Sequence, residues 1–137
     1  MVKSTTTLRV RYVETDQMGV AHHSAYLAWM EVARTEYLRL RGLPYRVLEE
    51  KGYRMPVLAI ALKYKSPAYY DDELQLTAGL VETNRLRFRF EYEIRRSPDG
   101  ALLATGTSEH VSTDLAGKPR RLPDKLFSLI GDGSEKH

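Results

Sequence analysis

The sequence predicts an α+β domain in which one long helix lies across a curved five-stranded antiparallel sheet. Two observations carry that expectation. Residues 25–41 set Tyr26, Trp29, Met30, Ala33, Tyr37 and Leu40 on one stripe at helical spacing. Downstream, four strand-like runs follow one another through short turns, the connection that antiparallel strands allow. The sheet's apolar face must be covered, and the helical stripe is the element large enough to cover it.

The elements follow in order. Residues 5–13 read as a first strand, with Thr7, Arg9 and Arg11 alternating with Leu8, Val10 and Tyr12. Residues 14–24 break the alternation and hold Asp16, Gly19, His22 and His23 in a polar loop. Ser24 is the expected N-cap of the long helix, since its hydroxyl can accept from an unpaired first-turn N–H. Gly42 is its expected stop. At ~1.5 Å per residue the helix is about 25 Å long. Residues 44–51 read as a short second helix closed by Gly52. Residues 56–66 form a strand whose apolar start, from Val57 to Leu62, is the pattern of a strand covered on both faces. Leu74, Leu76, Ala78 and Leu80 alternate with polar or small residues. Leu86, Phe88, Phe90, Tyr92 and Ile94 alternate with charged ones, the clearest period of two in the chain. Ser97-Pro98-Asp99-Gly100 is a turn. Residues 101–113 are a last strand, 123–130 a short helix and 131–137 a frayed tail. Residues 1–137 thus make one domain with its core at about 5–130.

Composition narrows the function classes. With 42% hydrophobic and 28% charged residues, disordered and collagen-like classes are excluded. No apolar run approaches the ~20 residues of a membrane helix, so no membrane insertion is expected. The start, Met1 to Thr7, has no apolar core of a secretory signal, which points to a cytoplasmic protein. The absence of cysteine removes disulfides, thiolate metal sites and a Cys nucleophile together. The net charge of +3 is diffuse, and no basic face with interleaved aromatics suggests nucleic acid.

The chemistry concentrates in the loop before the long helix. Asp16 sits just past a strand, Gly19 lets the backbone turn closely, and His23 lies at the approach to a helix N-terminus. First-turn amides lack intrahelical acceptors and carry the positive end of the helix dipole, so a developing negative charge is stabilised there. A nearby carboxylate can attack a carbonyl carbon, or take a proton from the water that does. Together these parts suit acyl transfer or hydrolysis. On the residues alone two readings of Asp16 stay open, since Asp in a Gly-containing loop also forms turns by bonding nearby backbone. His23 is equally a capping or packed histidine. Adjacent His22 and His23 face different ways and share no zinc-ligand spacing with His110 and Asp16, so no metal site is expected. Tyr26 and Trp29 belong to the core stripe, and their nearness to the loop also makes them candidate pocket walls.

The run Glu14-Thr15-Asp16-x-x-Gly19-x-x-x-His23-x-x-Tyr26, followed by Trp29-x-Glu31-x-Ala33-Arg34-Thr35-Glu36-Tyr37, resembles the 4-hydroxybenzoyl-CoA thioesterase family, and most nearly its YbgC-like acyl-CoA thioesterase branch. A second run, Tyr64-x-Ser66-Pro67-Ala68-x-x-x-Asp72-Glu73-Leu74, looks like the same family's segment between two strands. The resemblance covers about residues 5–130. It implies the hotdog fold, a long helix wrapped by a curved antiparallel sheet, and hydrolysis of an acyl-CoA with no metal or redox cofactor, coenzyme A being part of substrate and product. The family's catalytic Asp falls on Asp16, as nucleophile or general base. The branch's second catalytic residue falls on His23, whose backbone N–H would polarise the thioester carbonyl. Aromatic-specific relatives carry Tyr at that position, so His23 implies an aliphatic or broad acyl range. His22 stands where the branch often has Tyr, which bears on the local pocket shape.

The same resemblance frames the remaining expectations. Gly19, Tyr26 and Val57 are expected beside the substrate. The phosphates of coenzyme A need cations, and Arg87, Arg89 and Arg120 are the candidates, because Arg matches phosphate with a fork of donors. An open five-stranded sheet has two free edges that invite pairing. Hotdog proteins pair such edges about a two-fold axis, so a homodimer is the expected minimum and a dimer of dimers the expected assembly. Residues near Val57–Ile60 would then reach the partner's site. Two rivals share these residues: an acyl-thioester hydratase or dehydratase on the same fold, and a non-catalytic acyl-CoA-binding module.

Overall fold

The computed structural model describes residues 2–131. The order of elements is β1 (Lys3–Arg9), a 3-10 turn (Tyr12–Glu14), α1 (Ala25–Leu40), α2 (Tyr45–Glu50), β2 (Val57–Tyr64), β3 (Glu73–Thr83), β4 (Arg87–Ser97), β5 (Leu102–Val111) and α3 (Asp124–Ile130). The five strands form one antiparallel sheet in the order β1-β3-β4-β5-β2. The expected α+β architecture is therefore present. The tail expected after Gly131 lies outside the described residues.

Alternation fixes the core. Leu74, Leu76, Ala78 and Leu80 of β3 and Phe88, Phe90, Tyr92 and Ile94 of β4 are all buried on one sheet face. Against them α1 sets Tyr26, Trp29, Met30, Ala33 and Tyr37, and Tyr37 meets Phe90 edge-on at 5.4 Å between ring centroids. Such ring pairs add to area burial, because the positive edge of one meets the negative face of the other. One member of the expected stripe departs from it: Leu40 is exposed, and Leu38 is buried in the last turn instead. Gly42 has φ of 80°, a left-handed stop that side chains with a Cβ resist.

Three other expectations are corrected. The first strand stops at Arg9, because residues 12–14 turn as a 3-10 segment closed by the N–H of Glu14 on the carbonyl of Arg11. Ser24 does not cap α1. It has helical dihedrals and no side-chain cap bond, and the N–H of Ala25 reaches back to the carbonyl of His22. The largest difference concerns β2, which is an edge strand rather than a covered one. Its helix-side positions Ile60 and Tyr64 are exposed, as are Val57 and Leu58. The reason is geometric: α1 packs mainly across β1, β3 and β4, and meets β2 at its Tyr64 end through Tyr26. An apolar run thus does not by itself mark a strand that its own chain covers.

Candidate active site

The loop between β1 and α1 is a small hairpin. Thr15 pairs with Ala21, the N–H of Asp16 bonds the carbonyl of Val20 (2.9 Å), and the N–H of His22 bonds the carbonyl of Glu14 (2.8 Å). Its returning arm is braced by the segment before β3. The N–H of Ala21 reaches the carbonyl of Ala68, and that of Tyr70 the carbonyl of Gly19. Gly19 has φ of 78° with open space around it, so glycine is required by the backbone's handedness and not by crowding.

Asp16 does two things at once. Its Oδ1 accepts from the N–H of Met18 (2.8 Å) and of Val20 (3.1 Å), which is the turn-forming role. Among the described residues its Oδ2 has no hydrogen-bond partner, so one oxygen of a half-buried carboxylate remains for chemistry. Asp114 shows the same local motif. Its Oδ1 accepts from the N–H of Ala116 and Lys118 (2.9 Å each), with Gly117 at a left-handed φ of 93°. The Asp-x-x-Gly pattern is therefore a turn in both places, and location distinguishes Asp16.

That location is the approach to α1. Among the described residues the N–H groups of His23 and Ser24 have no acceptor, at the electropositive end of a sixteen-residue helix. The His23 side chain is exposed, as is that of His22. The carbonyl of His23 accepts from the Tyr64 hydroxyl (2.9 Å), and the Tyr64 ring stands edge-on to Tyr26 at 4.9 Å. Tyr26 is 3% exposed, a core residue that meets the site through Tyr64. Glu14 holds the other side. Its Oε2 accepts from the Trp29 indole (3.1 Å) and from Arg11 (3.1 Å), tying the hairpin to the second turn of α1. Sequence reasoning quoted Glu14 and Tyr64 in its motifs and gave them no role. Tyr64 was findable, since it shares the inward phase of Ile60 and Leu62 while carrying a polar tip.

The other expected residues lie elsewhere in the chain. Val57 opens β2 whereas Tyr64 ends it, and seven steps at ~3.3 Å put about 23 Å between them. Arg87 and Phe88 are at the Val57 end, because Phe88 pairs with His110 and His110 with Val57. Arg87 and Arg89 share the sheet face away from α1. Arg120 is committed locally, stacked over the Tyr53 ring at 4.3 Å and donating to the carbonyl of Gly52. A single chain thus brings Asp16, Gly19, His23 and Tyr26 together and leaves Val57, Arg87, Arg89 and Arg120 at a distance. Among the described residues no three His, Asp or Glu side chains form a metal-holding group, and no helix is long and apolar enough to cross a membrane.

Known proteins resemble this chain closely. It is 37% identical over 107 residues to YneP of Bacillus subtilis, itself a candidate acyl-CoA thioesterase, covering 78% of this chain and 77% of that one. It is 33% identical over 121 residues to the acyl-CoA thioesterase YbgC of Haemophilus influenzae, covering 87% and 88%. The crystal structure of a DHNA-CoA thioesterase from Staphylococcus aureus superimposes with a TM-score of 0.87 at 33% identity, over 95% of this chain and 91% of that one. Residues 10–129 match the family described as the thioesterase-like superfamily, and the chain belongs to it.

Proposed function

We propose that the protein is an acyl-CoA thioester hydrolase whose working site is shared between two copies of the chain. The observation that carries the reading is that an unspent Asp16 Oδ2 and an unpaired His23 N–H both belong to the short hairpin segment leading into α1. The thioester carbonyl oxygen accepts from the His23 N–H, where the helix end favours the charge that develops on it. Asp16 either takes a proton from the attacking water or attacks the carbonyl carbon itself, forming an anhydride that water then opens. In both routes the C–S bond breaks, coenzyme A leaves as the thiol, and the acid is released. Water is the only co-reactant, and no cofactor enters.

The second copy is supported by β2. An edge strand with exposed Val57, Leu58 and Ile60 is a template for another strand. Pairing β2 with a second β2 about its middle sets Val57 opposite the partner's Tyr64, and so beside the partner's His23. Val57, Arg87 and Arg89, remote from Asp16 within one chain, then serve the partner's site, with Arg87 and Arg89 on the coenzyme A phosphates. Such dimers can associate further into a dimer of dimers.

The test is thiol release from a panel of saturated, oxygenated and aromatic acyl-CoAs, with sedimentation in parallel. Release of coenzyme A by a dimer or larger assembly is expected. Binding without release from every thioester overturns the hydrolase reading, and full activity at monomer mass overturns the shared site.

A further inference from the structure

We infer that a cavity between α1 and the Val57 end of the sheet receives the acyl group, and that Arg34 selects acyl groups bearing a neutral acceptor oxygen, such as a ketone, at their far end. The inference rests on the hydrolase reading above and deepens it by naming a substrate class.

The cavity measures about 220 Å³ and is walled by Met55, Val57 and Phe90, with Arg34, His110 and Glu31 as polar members. At ~30 Å³ per water it has room for about seven waters, close to the size of a six-carbon acyl chain. In the proposed dimer its Val57 wall meets the partner's His23, so a thioester held there would extend its acyl chain inward.

Two of its polar members, Arg34 and His110, are joined by a chain of hydrogen bonds that the hydrolytic step does not use. His110 is 1% exposed, its Nδ1 is 3.2 Å from the carbonyl of Met55, and its Nε2 is 2.7 Å from the Ser108 hydroxyl. The Ser108 hydroxyl is 2.6 Å from that of Tyr92, and Arg34 donates to the Tyr92 oxygen (3.1 Å). One proton arrangement satisfies all four links. Nδ1–H donates to Met55, Ser108 donates to Nε2, Tyr92 donates to Ser108, and the guanidinium donates to Tyr92. Burial favours the neutral imidazole that this arrangement needs, holding His110 well below the usual histidine range.

The chain therefore ends on a cation with donors left over. A guanidinium has five N–H groups, and one bond accounts for a single one of them. Among the described residues no carboxylate lies in ion-pair contact with Arg34, although Glu31 borders the same cavity. Unspent donors beside the Met55, Val57 and Phe90 wall call for an acceptor oxygen. Glu31 already brings one negative charge to the cavity's border, so a neutral acceptor supplies Arg34 with an oxygen without adding a second.

The experiment compares 5-oxohexanoyl-CoA with 5-methylhexanoyl-CoA, which differ by oxygen against methyl at one carbon. In wild-type protein kcat/KM should favour the oxo compound by about tenfold or more, the size of one hydrogen bond from a charged donor. Arg34→Met should abolish the preference, bringing the ratio of the two kcat/KM values to about one. Equal or reversed preference in wild-type protein overturns the inference without any variant, and so does a preference that survives in Arg34→Met. Calorimetric binding of both compounds to Asp16→Asn protein reads the same ratio without turnover. A preserved binding preference with no thiol release in wild-type protein sinks the hydrolase reading alone, and release without preference sinks the Arg34 inference alone.

Discussion

The Tyr64 hydroxyl donates to the His23 carbonyl oxygen across 2.9 Å, fastening the end of β2 to the approach of α1. The bond fixes the peptide that precedes Ser24 and sets the direction of the helix-end amides. Removing it leaves the ring contact with Tyr26 intact. Tyr64→Phe should lower kcat by about two- to tenfold, the worth of one ordinary hydrogen bond of ~0.5–1.5 kcal/mol, with KM nearly unchanged. The Tm should hold, since Tyr64 is exposed and the ring remains. Steady-state thiol release with a thermal melt reads both quantities, and a loss confined to Tm would make Tyr64 merely structural.

Asp16 and Asp114 make the same turn, so one controls for the other. Asn keeps an acceptor oxygen for the two backbone N–H groups and deletes the charge. Asp16→Asn should cut turnover by about 10²-fold or more, within the range for a general base, and leave the assembly unchanged. Asp114→Asn makes the same chemical change at a turn remote from the approach to α1 and should leave turnover unaltered. Equal rates in the two variants would remove Asp16 from the chemistry.

These two aspartates also show what the sequence made legible. Period-two runs in β3 and β4 and the stripe in α1 identified the core, because burial there is supplied within the chain. Asp-x-x-Gly identified a turn, and the helix behind it singled out Asp16 as the catalytic candidate. The exposure of β2 was not legible, since Val57 to Leu62 reads alike whether its cover comes from α1 or from another copy. Nor was the Arg34–Tyr92–Ser108–His110 chain, whose members come from three elements joined by strand register. Ser24 misled for a simpler reason: its own dihedrals are helical, whereas a capping serine needs extended backbone to reach the N–H groups of the first turn.

The backbone of His23 remains when its side chain is removed. If its N–H receives the thioester oxygen, His23→Ala keeps the donor and loses the imidazole alone. Turnover should then fall by about tenfold, less than for Asp16→Asn, because a single preorganised donor is itself worth about 10²–10³-fold. Side-by-side kcat values decide the ranking, and a greater loss in His23→Ala would move the main catalytic burden to the imidazole.

Acid should destabilise this protein through His110. Burial, and then the nearby Arg34 charge, lower its pKa to about 4 from the ordinary 6.5. A histidine depressed on folding contributes fully above the unfolded pKa, and that contribution is lost as pH falls from about 6.5 towards 4. At 1.36 kcal/mol per pKa unit, about 2 kcal/mol should be lost between pH 7.5 and 5. Urea titrations at the two pH values measure it. His110→Gln should be less stable at pH 7.5, having broken the Ser108 and Met55 bonds, and should show a flatter pH dependence. An identical slope in wild type and variant would assign the acid sensitivity to other groups.

Ile60 tests the shared site. It lies on the helix-side face of β2 beyond the reach of α1, is 41% exposed, and is near the middle of the edge. In the isolated chain Ile60→Lys places a charge where water already reaches, so the circular dichroism spectrum and Tm of the monomer should be little changed. In a two-fold pair the same substitution buries two like charges beside each other, each with a penalty of several kcal/mol. Association should weaken by more than about 10²-fold, at ~1.4 kcal/mol per tenfold. Sedimentation at micromolar concentration should therefore find a monomer. Thiol release should fall with it if, as proposed, Val57 lines the partner's site and Arg87 and Arg89 hold the coenzyme A phosphates there. A monomeric Ile60→Lys protein with undiminished kcat/KM would mean that Asp16 and His23 need nothing from a second chain.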